Sequence, residues 1–142
     1  MPAVPINYIA VVVAAAAHMV IGFLWFGPLF GKQWMALSGV SMDKINAAKP
    51  NMGKTYVLSA LGALVMAWVL SYSLVFASAY LHVTGVQAGL MAGFWNWLGF
   101  IATVTLGTVL WDGKPWALWL LTNAYYLISL CVMGVILAAW PM

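Results

Sequence analysis

Four stretches of this chain are apolar and long enough to cross a bilayer: residues 6–27, 54–80, 87–110 and 115–140. A helix needs roughly 20 such residues to span a hydrocarbon core of about 30 Å. Little else remains for a soluble surface. Lys and Arg together number 5, Asp and Glu 2, in a chain of 142 residues that is 66% hydrophobic. A water-soluble domain of this length needs far more charge at its surface. The expected fold class is therefore all-α, an integral membrane four-helix bundle, with a single transmembrane domain over residues 1–142.

Polar punctuation separates the spans. The segment before residue 6 carries no basic side chain, and the first apolar stretch continues into Leu24-Trp25-Phe26 without a cleavage pattern. It reads as a retained helix and not as a secretory signal. Gly27-Pro28 should end or kink that helix, because Pro28 brings no amide proton and restricts the residue before it. Residues 31–54 form a polar loop, in which Ser41 can cap a short surface helix before Pro50-Asn51-Met52-Gly53 breaks it. A short link around His82–Gly85 joins the second and third spans, and Trp111–Trp116 joins the third and fourth. The last helix should close at Trp140-Pro141.

Small residues recur at helical spacing. In the second span Tyr56, Ala60, Ala63, Ala67, Ser71 and Ser78 fall near one face. In the third, Gly85, Gly89 and Gly93 stand four apart, and Asn96, Thr103 and Gly107 extend roughly that face. Close approach through small side chains replaces the hydrophobic drive that lipid removes. Several such faces on four short-looped helices point to a homo-oligomer.

Charge sets the expected orientation. The first loop holds Lys32, Lys44, Lys49 and Lys54, the third holds Lys114, and the second loop and both ends hold no basic side chain. By the positive-inside rule the lysine loops are cytoplasmic and both termini lie outside, in the inner (cytoplasmic) membrane. Gly31-Lys32-Gln33-Trp34 and Gly113-Lys114-Pro115-Trp116 follow the first and third helices at the same face. Two helical hairpins related by an axis along the membrane normal would produce that match, and so would shared interfacial chemistry.

Few groups could carry chemistry. Asp43 and Asp112 are the only side-chain carboxylates, and both belong to loops. Neither a carboxylate pair nor a nucleophile with its base is in evidence, so no catalytic residue is assigned. Cys131 is the single cysteine, which excludes an internal disulfide and a thiolate metal cluster; no metal or cofactor is expected. Five lysines without a cluster make a poor nucleic-acid face. His18 is the titratable group deep in an apolar helix, sharing a face with Asn7, Gly22 and Trp25. Asn96, Asn123, Tyr125 and Tyr126 are its candidate partners. Tyr125 and Tyr126 point in different directions, so one of them should join a polar site, and His18, Asn96, Asn123 and Tyr126 make up the candidate ligand-binding or pore-lining set. The same groups could equally be structural cross-helix hydrogen bonds.

The run from His18 to Trp34 adds a specific signal. Gly22, Trp25, Phe26, Gly27, Pro28, Phe30, Gly31 and Trp34 fit the pattern Gly-x-x-Trp-Tyr/Phe-Gly-Pro-x-Phe-Gly-x-x-Trp. With the Asn123-Ala124-Tyr125-Tyr126 segment and four spans, the chain resembles the bacterial membrane family DUF1761, the domain of unknown function numbered 1761. Trp25, Gly27, Pro28, Gly31 and Trp34 form its interface motif, and Phe26 takes the option without a hydroxyl. The resemblance implies four spans and no particular activity.

Two functional classes follow. The polar groups could bind or pass a small solute within the membrane. Alternatively, the chain is an accessory protein that packs against a partner protein or lipid through its glycine-rich helix face.

Overall fold

The computed structural model describes residues 3–140. Pro141 lies outside them. The described chain is helical throughout its ordered elements, and four helical stretches are long and apolar enough to cross a membrane: Tyr8–Leu29, Met42–Leu81, Gly85–Leu110 and Trp116–Ala139. We call them helices one to four. The protein is a multi-pass membrane protein. Its spans bury only 22–33% of their most apolar windows inside the chain, as expected where lipid solvates the outer faces.

Neither helix one nor helix three is a regular α-helix to its end. Helix one is α-helical over Tyr8–Leu24 and then opens into a π turn over Trp25–Leu29. Phe30 N–H reaches back five residues to the Trp25 carbonyl, at 2.9 Å. Pro28 cannot donate a backbone bond, and the widened turn passes over that gap, so the chain bends without stopping. A short helix, Gly31–Ser38, follows and ends at Gly39 with φ 76°. Helix three is α-helical over Gly85–Asn96 and π over Trp97–Ala102. Hydroxyls serve carbonyls there: Thr103 Oγ1 donates to the Gly99 oxygen and Thr105 Oγ1 to the Ile101 oxygen, both at 2.7 Å.

The break expected at Pro50 is mild. Ser41 caps a helix over Met42–Ala48, accepting from Lys44 N–H. A single 3-10 turn at Lys49–Asn51 leads into Met52–Leu81. His82 ends that helix in the left-handed region at φ 55°, and Gly85 at φ 63° opens helix three.

The helices pack as a ring. One meets two and four, three meets four and two, and two and four also touch across the centre. The closest pairing is three against four, where a Cβ on Gly93 would lie 2.6 Å from the Leu130 oxygen and 2.8 Å from Cys131 backbone atoms. Gly89 and Gly134 bring the two backbones together one turn further along. Alanines do the same elsewhere: Ala14, Ala63 and Ala67 are buried between helices one and two in the core with Leu70, Leu130 and Met133. At one end of the bundle Lys114 Nζ donates to the Ser38 oxygen at 3.1 Å, tying the third loop to the first.

Candidate functional site

Helix one ends its buried stripe at His18, which faces helix four. His18 Nδ1 and Ser129 Oγ are 2.5 Å apart. The Tyr125 hydroxyl lies 3.1 Å from Nε2, 3.4 Å from Nδ1 and 3.4 Å from the His18 carbonyl oxygen. The in-plane axes of the two ring nitrogens diverge. An oxygen nearly equidistant from both is therefore off axis for each, and the directional bond is the one to Ser129. Ser129 Oγ in turn lies 3.9 Å from Met133 Sδ, and both residues are fully enclosed.

The sequence motif after His18 builds the space around this cluster. A Cβ on Gly22 would sit 2.8 Å from the Tyr125 hydroxyl, so the missing side chain lets that hydroxyl reach His18. Trp25 Nε1 donates to the Leu121 oxygen of helix four at 3.2 Å and holds the π turn against it. The Phe26 ring meets Tyr125 edge-on, with centroids 5.0 Å apart at 71°, and Trp34 at 6.0 Å and 68°. Gly31 follows the bend: a Cβ there would be 2.8 Å from the Phe26 oxygen. Gly27 has nothing within 4 Å of a built Cβ, and Pro28 sits within the π turn.

Between helices one, two and four, His18, Gly22, Phe26, Gly27 and Tyr125 line part of a cleft of about 660 Å³. His18 and Tyr125 lie in it at mid-helix, Phe23, Phe26 and Met66 form apolar walls, and Thr55 and Ser59 line helix two toward the lysine end. Beyond His18 the bundle closes: Ala14 and Ala67 are 0% exposed, and Leu70 is 2% exposed.

The expected partners of His18 are distributed differently. Tyr125, not Tyr126, makes the contacts to the imidazole; Tyr126 packs beside it at 5.0 Å between centroids and lines the cleft. Asn96 and Asn123 hydrogen-bond elsewhere. Asn96 Nδ2 donates to Ser73 Oγ and to the Ala92 oxygen, each at 2.8 Å. Asn123 Nδ2 donates to Thr105 Oγ1 at 2.9 Å and to the Trp119 oxygen at 3.1 Å, and its Oδ1 accepts from Trp97 Nε1 at 3.2 Å. Asn123 leaves helix four toward helix three, and Tyr125 toward helix one. Asn7 is the N-cap of helix one, accepting from Ile9 and Ala10 N–H. Among the described residues no three His, Cys, Asp or Glu side chains gather where they could hold a metal ion.

The packing glycines also divide. Gly89 and Gly93 face helix four, whereas Gly85 serves the turn, and Gly107 has only the Trp111 side chain nearby, at 3.7 Å. Gly134 completes the crossing and was absent from the expected set, as were Ser129, Thr55, Ser59 and Gly62 from the polar site. Thr55, Ser59, Gly62 and Met66 follow steps of four, three and four, which is a legible helical stripe once helix two is oriented.

A family model described as a protein of unknown function, DUF1761, matches residues 9–138. The chain belongs to the DUF1761 family. That match takes in all four DUF1761 spans, the 22–34 motif, of which Gly22, Phe26 and Gly27 line the cleft, and Tyr125 at its floor. No curated protein and no solved structure matches the chain.

Proposed function

We propose that this chain binds a small neutral solute in the cleft at His18 and does not pass it across the membrane. The carrying observation is a cleft that ends on polar groups: it reaches His18 and Tyr125, and Ser129 and Met133 behind them are fully enclosed. Pockets of this kind, mostly apolar with a few convergent polar groups, are the usual form of small-molecule sites. The rival reading, docking of a partner on the glycine face, loses its surface, because Gly89 and Gly93 already meet helix four of the same chain.

Orientation and assembly belong to this reading. All five lysines lie in residues 31–54 or in the turn before helix four, at the end where Lys114 meets Ser38, and we assign that end to the cytoplasm, with both termini outside, in the inner membrane. A homo-oligomer would cover part of the apolar surface that the spans leave exposed.

The test is solvent access in nanodiscs, with Cys131→Ala as background. Ser59→Cys should react with N-ethylmaleimide, and Ala14→Cys, beyond the floor, should stay unreacted. Equal reaction at both positions would make the cleft a passage. An unreactive Ser59→Cys would remove the site altogether.

A further inference from the structure

The chemistry lining the cleft narrows what it can hold. None of its lining residues is Asp, Glu, Lys or Arg. A charged ligand would give up its hydration there with no countercharge to replace it. The walls are flat or polarizable: Phe23, Phe26 and Tyr126 supply rings, Met66 a thioether. Such surfaces favour a planar, polarizable ring. The cleft also opens sideways toward lipid, since Phe23 is 69% exposed and nothing lies within 4 Å of a Cβ built on Gly62.

The floor can serve either side of a hydrogen bond. The Tyr125 hydroxyl, off axis for both ring nitrogens, can donate its proton to a ligand carbonyl or accept at its lone pairs from a ligand hydroxyl. Behind it the bond between Nδ1 and Ser129 Oγ runs in either direction, and when Ser129 accepts, its own proton turns to Met133 Sδ. A neutral imidazole holds its proton on either nitrogen, so Nε2 too can accept or donate. One ligand class presents a carbonyl in one form and a hydroxyl in the other on the same flat ring.

We propose that the cleft takes a membrane-borne quinone and its quinol, with the ring at His18 and Tyr125 and the apolar tail leaving between helices one and two into lipid. This rests on the cleft being a binding site; it is a statement of binding, and no electron or proton transfer is part of it.

The probe is a fully substituted benzoquinone with a decyl tail, alongside its quinol and plain decanol as the tail-matched control. Two readouts are taken on detergent-solubilised protein: the apparent unfolding temperature, and protection of Ser59→Cys from N-ethylmaleimide. Quinone and quinol should both raise the unfolding temperature and protect the thiol, and decanol should do neither. Tyr125→Phe should need about tenfold more of either ring ligand for the same shift, the effect of losing one or two buried hydrogen bonds. His18→Leu should lose the shift; should that variant not fold, Tyr125→Phe alone decides. Equal effects of decanol, or an unchanged response in Tyr125→Phe, would overturn the quinone assignment while leaving a cleft that binds apolar molecules. A Ser59→Cys thiol that never reacts, with no ligand present, would instead overturn the binding site beneath it.

Discussion

At the scale of single residues, Gly22 and Tyr125 form one device. The hydroxyl occupies the place a Gly22 side chain would take, 2.8 Å from the built Cβ, and the ring carbon behind it is 3.3 Å away. Gly22→Ala should therefore displace the hydroxyl from His18 and cost about 1–3 kcal/mol, as overpacking does. In a Tyr125→Phe background the same substitution should cost less, because the nearest atom is gone. Thermal stability of the four proteins in a double-mutant cycle measures that coupling, and purely additive costs would separate the two residues. His18 was legible as the titratable group in an apolar helix. Its tyrosine neighbour was not: Tyr125 and Tyr126 are adjacent, and choosing between them requires the rotation of helix four to better than about 100°. Nothing in the sequence paired Ser129 with His18, since a serine on the inner side of a membrane helix is ordinary.

At the scale of elements, helices three and four form the tightest joint. Gly93→Leu and Gly89→Leu would drive a side chain into helix four backbone, which cannot rotate away as a flexible side chain would. Each should cost about 1–3 kcal/mol or more and shift the melting curve in detergent. Gly99→Ala is the control, with nothing within 4 Å, and should leave stability unchanged. A wild-type melt for Gly93→Leu would mean that the joint opens freely. The four-residue glycine spacing exposed this face in the sequence, but Gly134 stands alone in helix four and carries no period to reveal it. The π turns were legible only in part. Gly27-Pro28 announces a disturbance, whereas the turn at Trp97–Ala102 lacks a proline and shows only Gly99. Where a helix widens and continues, and where it ends, look alike in a string of apolar residues.

At the scale of the whole molecule, the four spans and their lysine asymmetry were legible because hydropathy and charge are summed over many residues. The ring order was not, because it depends on which faces meet. Cysteines at Asn46 and Val83, each in a Cys131→Ala background, fall at opposite ends of helix two, Asn46 in the Met42–Ala48 helix that leads into it and Val83 in the link after it. The assigned orientation expects an impermeant thiol reagent outside intact spheroplasts to label Val83→Cys and spare Asn46→Cys; the reverse pattern would invert the protein. If the cleft binds a ligand as proposed, its closed floor at His18 restricts where that ligand comes from. The cleft extends from mid-helix only toward Thr55 and the lysine end, so its side opening faces one leaflet of the bilayer. A molecule dissolved in the opposite leaflet must flip before it can enter. Occupancy would follow the composition of a single monolayer, and the two halves of the same membrane would not be equivalent to this protein.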